Sequence, residues 1–62
     1  MTPEEFKEAD RICAKALDRN LSDYDEKFVN DIADKLGKYG EDTYLTARQW
    51  QHLNTIAERY WL

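Results

Sequence analysis

Apolar residues recur along the chain at helical spacing in three separate stretches. Phe6, Ala9, Ile12, Cys13, Ala16 and Leu17 fall on one side of a first helix. Phe28, Val29, Ile32, Ala33 and Leu36 form a second stripe. Trp50, Leu53, Ile56, Ala57, Tyr60 and Trp61 repeat the offsets of the first. Each stripe is preceded by a start signal. Thr2-Pro3-Glu4-Glu5 offers a capping hydroxyl, a proline suited to the first turn and a glutamate three residues after the cap. Ser22 precedes Asp23, Asp25 and Glu26, acidic residues that face the positive end of a helix dipole. Thr46 and Gln49 form a capping box, with Leu45 and Trp50 as a hydrophobic staple across it. Asn20, Gly37 and Gly40 are candidate stops. The pattern predicts helices near residues 3–19, 23–39 and 47–61.

The first connection is very short, and the second runs from Gly40 to Leu45. Short links favour antiparallel neighbours. The expected fold is all-α, a single domain over residues 1–62 built as a small three-helix bundle, with helices 2 and 3 as the central hairpin. The rival is a helix 2–3 hairpin that pairs with a second copy, helix 1 lying across it. A chain of 62 residues has a small core and commonly relies on a disulfide, a metal or a partner chain. Cys13 is the single cysteine and His52 the single histidine, so an internal disulfide and a Cys/His zinc site are both excluded. No cofactor is expected.

Charge narrows the partners. Thirteen acidic and nine basic side chains leave a net charge of −4, which opposes attraction to nucleic acid or an anionic membrane. No apolar run approaches the ~20 residues of a membrane span. The acidic start, Met1-Thr2-Pro3-Glu4-Glu5, lacks the basic region of a secretory signal, which points to the cytoplasm. Lys7, Arg11, Lys15 and Arg19 recur every four residues, but Glu4, Glu8 and Asp18 share their face and cancel the field. Arg48, Gln51, His52, Thr55 and Arg59 on helix 3 suggest a helix-turn-helix reader as the nucleic-acid alternative. The Gly40–Leu45 link is longer than the usual turn of about three or four residues, which counts against it.

Catalytic chemistry finds little support. His52 lies off the apolar stripe and reads as an ordinary surface histidine, without a partner to orient it. Cys13 lies on the apolar face of helix 1 and reads as core packing. Asp23, Asp25, Glu26, Glu41 and Asp42 read as capping and solubility. Their spacing does not match an EF-hand loop, and so small a domain has little room for a glycosidase cleft. The chain is not expected to be an enzyme.

Aromatic residues are the remaining signal: two Phe, four Tyr and two Trp. Phe6, Phe28 and Trp50 look internal. Tyr24, Tyr39, Tyr44, Tyr60 and Trp61 are less obviously so. Tyrosine and tryptophan dominate binding hot spots, because they offer large contact areas with few torsions to freeze. Tyr39, Tyr44, Tyr60 and Trp61 are therefore the candidate partner-binding residues, in two patches at opposite ends of helix 3.

One stretch resembles something known. Leu21-Ser22, Asp25, Phe28-Val29, Ile32, Tyr39-Gly40, Thr43, Leu45-Thr46, Gln49-Trp50, Leu53 and Ile56 together resemble a helical-hairpin segment of small phage and prophage proteins of unknown function. The likeness spans Leu21 to Ala57 and implies no catalytic residue. It implies a phage-type helical hairpin and supplies a setting; with the small size, the lack of catalytic chemistry, the acidic charge and the surplus aromatics, the expectation is a small cytosolic protein that binds and modulates or inhibits a host protein or complex of defence or transcription. A structural homo-oligomer, the simplest form being a homodimer, is the third expectation.

Overall fold

The computed structural model describes residues 1–62. Three α-helices form a bundle: α1 (Pro3–Ala16), α2 (Asp23–Tyr39) and α3 (Ala47–Arg59), with a single 3-10 turn at Gly40–Asp42. The starts lie where the capping residues put them. Thr2 Oγ1 accepts from the Glu5 amide at 3.1 Å, and Glu5 Oε1 accepts from the Thr2 amide at 2.9 Å. Thr46 and Gln49 make the same reciprocal pair at 3.2 and 2.9 Å. Ser22 Oγ accepts from the Asp25 amide at 3.3 Å. Each cap satisfies an amide that the helix itself leaves without a partner.

The core joins all three helices. Ala9, Ile12, Cys13 and Ala16 come from α1, Val29, Ile32 and Leu36 from α2, and Leu53 and Ile56 from α3; Leu45 closes it from the second loop. Phe6, Phe28 and Trp50 are half-buried at its margin rather than enclosed. Met1 places the ends: its nitrogen donates to the carbonyls of Glu41 at 2.9 Å and Thr43 at 3.3 Å, so α1 begins beside the end of α2 and runs antiparallel to it. Thr43 is itself buried, and its hydroxyl donates to the Lys35 carbonyl at 3.1 Å, pinning the second loop onto α2. The core is closed within one chain.

Two expectations are corrected. The central helix is α1, which packs closely against both others, while the backbones of α2 and α3 stand further apart. Large side chains fill the space between them, and their bulk sets the separation. Second, α1 ends at Ala16 instead of continuing to 19. Asp18 and Arg19 donate to Lys15 and Ala16 in tight i→i−3 turns, because the buried stripe is finished at Ala16 and the chain must reverse within a few residues. The α2 stop is Gly40, at φ +58°, a conformation that side chains with a Cβ rarely adopt. No helix is long and apolar enough to cross a membrane.

Candidate functional site

Two features stand out: a buried polar cluster between α2 and α3, and a set of aromatic rings left in solvent.

Asp25 lies in the first turn of α2, yet only 3% of it is exposed. Its place in the helix explains this. Residues 25, 29, 32 and 36 share one face, so Asp25 extends the stripe of Val29, Ile32 and Leu36. A buried carboxylate needs partners, and α3 supplies them. His52 Nε2 lies 3.3 Å from Oδ1, Arg59 Nη1 donates to Oδ2 at 3.3 Å, and the Tyr60 hydroxyl donates to Oδ2 at 3.2 Å. Burial alone pushes the Asp25 carboxyl up. The hydrogen bonds of His52, Tyr60 and Ser22, with the Arg59 charge, outweigh it and hold the group below its usual value of 3.8. The imidazole of His52 is stacked on Phe28, centroids 4.0 Å apart, and on Tyr24 at 5.5 Å.

His52 is therefore not a free surface histidine. It is half-buried, oriented by a carboxylate and held against rings of α2. Nor is Asp25 merely a first-turn acid that aids solubility: it is the hub linking α2 to the end of α3. The signal for both was present in the sequence. A carboxylate in register with a buried stripe implies a donor opposite, and His52 and Arg59 stand seven residues apart on one side of α3. His52 is held by Asp25, whereas Arg59 gives it one N–H and stays 59% exposed, so the face proposed to read DNA keeps Arg48, Gln51, Thr55 and most of Arg59, and the Thr55 hydroxyl donates to the Gln51 carbonyl.

Cys13 is buried, and burial first, then the Asp10 carboxylate, pushes its thiol up to about 11. It stays protonated at neutral pH and acts as a small apolar group. No group of three or more His, Cys, Asp or Glu side chains is arranged to hold a metal ion.

The exposed rings are Tyr24 at 75%, Tyr39 at 53%, Tyr44 at 78% and Trp61 at 88%. Tyr39 and Tyr44 flank the 3-10 turn at one end of α3, and Trp61 follows its other end, about 20 Å away for a helix of this length. Of the four anchors expected from the sequence, Tyr39, Tyr44 and Trp61 face solvent. Tyr60 does not stand with them: it is half-buried against the core and committed to Asp25. Tyr24 presents as much ring as Tyr44, although the sequence only marked it as not clearly internal.

Trp61 has an unusual backbone. The Leu62 amide donates to Ala57 at 2.9 Å, and the Trp61 amide to Glu58 at 3.4 Å. This is a Schellman ending, whose left-handed residue is ordinarily glycine. Here it is Trp61, at φ +57°. A left-handed conformation costs an L-residue roughly 1–2 kcal/mol. The exposed ring recovers little of that through packing. Trp61→Gly is accordingly expected to stabilise the fold by about 0.5–1 kcal/mol, once the greater freedom of glycine in the unfolded chain is discounted. Urea titration of the two proteins checks this, and a less stable Trp61→Gly would show that the ring packs on the domain.

Comparison with protein-family models, curated proteins and solved structures gives no match for this chain.

Proposed function

We propose that the chain is a non-enzymatic protein-binding module whose contacts are made by aromatic side chains at its two ends. The observation that carries this reading is the exposure of Tyr39, Tyr44 and Trp61 on a domain whose core closes without them. Burying such rings in water-excluding contacts supplies most of the binding energy at hot spots. The net charge of −4 and the engagement of His52 by Asp25 favour protein over nucleic acid as the partner. The likeness of Leu21–Ala57 to phage hairpins supplies the setting, binding and modulation of a host protein complex in the cytosol. Enzymatic roles draw no support from the Asp25–His52 pair, since His52 has no nucleophile beside it and the one thiol is buried and protonated.

The test is affinity capture from bacterial lysate with the wild-type chain and Tyr44→Ala in parallel, read by mass spectrometry. The expected result is a protein held by wild type and depleted at least roughly tenfold by Tyr44→Ala, the loss of one hot-spot ring. Capture of nucleic acid with a steep salt dependence, or identical capture by both chains, overturns the reading.

A further inference from the structure

The exposed rings at opposite ends of α3, Tyr44 and Trp61, are joined by a furrow. Three open hollows lie end to end along α3, the first two shared with the start of α1. Tyr44 and Trp50 wall the first, Trp50 and Asn54 the second, and Asn54 and Trp61 the third, so each shares a wall with the next. The helix explains the sharing. Residues 50, 54 and 57 fall on one face of α3, beside the Leu53 and Ile56 stripe that enters the core, and Trp61 follows in line. The furrow runs the length of α3, about 20 Å for 13 residues. Both tryptophans of the chain lie on it.

Its charge is one-sided. The walls hold four carboxylates, Glu4, Glu5, Glu8 and Glu58, and no lysine or arginine. Two cations stand at its border. Arg11 pairs with Glu8 at 2.7 Å, and the Met1 ammonium is committed to the Glu41 and Thr43 carbonyls. The balance stays negative, on a chain whose own net charge is −4. The other flank of α3 differs: the hollow between Tyr24 and Arg48 has no carboxylate in its walls. Acid is gathered on the face that also carries the rings, rather than spread evenly around the helix.

Rings in a negative furrow select the chemistry of what covers them. A purely apolar segment would bury carboxylates without a counter-charge, which is costly. Nucleic acid and a second copy of this chain are both repelled. A cationic segment with interspersed apolar side chains satisfies both demands. Lysine and arginine lay apolar stems along ring faces, and their charged heads are attracted to those faces and to the carboxylates beyond. We propose, on the reading of Tyr44 and Trp61 as contact rings, that the Tyr44–Trp61 furrow docks a basic amphipathic helix of the partner protein, about 14 residues long. Its apolar side chains rest on Trp50 and Trp61, and its lysines or arginines reach Glu4 and Glu58 at the margins.

The probe is a blocked helical peptide of leucine and lysine, about 14 residues long and patterned as an amphipathic helix. A leucine–glutamate peptide of the same pattern is its counterpart. Neither contains a ring, so tryptophan emission reports the protein alone, and a dye-tagged copy gives affinity by anisotropy. Wild type should bind the leucine–lysine peptide with a Kd on the order of 10 μM and reject its counterpart, while its emission moves to shorter wavelength. Affinity should fall at least roughly tenfold in Trp61→Ala. It should fall roughly three- to tenfold in the double variant Glu4→Gln/Glu58→Gln, whose two sites are exposed and leave the Thr2–Glu5 cap intact. Circular dichroism confirms that both variants remain helical.

Unchanged affinity in both variants overturns the proposal, because the peptide is then drawn by net charge and not by this face. Equal binding of the two peptides, or no shift in emission, overturns it as well. Emission already shifted in a concentrated, peptide-free sample that sediments as a dimer means that a second copy fills the furrow, and overturns the basic helix. Lysate capture repeated with the double variant separates this failure from that of the contact reading. A protein lost with Tyr44→Ala but kept by Glu4→Gln/Glu58→Gln overturns the basic partner alone. A protein kept by Tyr44→Ala overturns the two together, and one lost with both variants supports them.

Discussion

Ile12→Ala is expected to bring the chain to the edge of unfolding at 25 °C, with a large fraction of molecules unfolded. Ile12 is fully buried in the middle of α1, the helix that packs against both others. Truncating a buried isoleucine costs about 2–5 kcal/mol, from lost transfer energy and from the cavity left behind. A single core in a chain this short supplies only about 3–5 kcal/mol of net stability. The two quantities nearly cancel. The single cysteine allows no internal disulfide, and the Ala9, Cys13 and Ala16 contacts on the same face depend on the same docking. Ile12→Val, which removes one methylene, should cost about 0.5–1.5 kcal/mol and stay folded. Far-UV circular dichroism with urea titration separates these outcomes. Wild-type helicity in Ile12→Ala, with a loss below about 1 kcal/mol on the scale of such substitutions, would mean that the helices collapse around the gap and that α1 is not the keystone.

How much of this was legible in the sequence depends on whether a property is local. The caps at Thr2, Ser22 and Thr46 are contacts within four residues, and they stand as the sequence implied. The apolar periodicity named nine of the ten buried apolar residues, including Cys13, but missed buried Asp25 and Thr43 and included Leu17 and Trp61, which lie in solvent. It did not say which stripe meets which. A short link makes two helices neighbours in order, but their separation is set by the side chains between them. His52, Tyr60 and Phe28 lie between α2 and α3, while the small Ala9 and Ala16 let α1 come close. The end of α1 was overestimated because Leu17 continues the helical spacing although it lies half in solvent. Tyr60 was taken as a contact ring for the same reason that Asp25 was taken as a solubilising acid. Each was judged by its type and its local position, and each owes its role to the other across 35 residues of chain. The exposure of Tyr44 and Trp61 was legible, because loops and helix ends of a small bundle have little interior to offer.

Asp25→Ala should cost about 2–3 kcal/mol. The estimate follows from what the substitution strands. A buried ion pair broken from one side typically costs 3–5 kcal/mol, because the surviving charge is left without water. Here the partners are only partly enclosed. The Arg59 side chain is 59% exposed and rehydrates readily, so its share is small, and His52 at 24% recovers part of its loss. The Tyr60 hydroxyl and the stacked imidazole lose a charged acceptor, at about 1.5–3 kcal/mol for hydrogen bonds of that kind before rehydration. Asp25→Asn keeps the volume and one acceptor oxygen, and should cost less, about 1–2 kcal/mol on the same scale. Arg59→Ala should fall below about 1 kcal/mol, as an exposed partner does. The pH dependence has a definite sign. Because the Asp25 carboxyl titrates lower in the folded state than its usual 3.8, the unfolded chain binds the proton first on acidification. Its contribution is fully present above about pH 4, the range of a free aspartate, and is lost as pH falls through the lower folded value. Thermal melts from neutral to acidic pH should therefore show wild type losing its advantage over Asp25→Asn only in that acid window. An advantage that stays constant down to full protonation, or that disappears near neutrality, would show that the carboxylate charge is not what joins α2 to the end of α3.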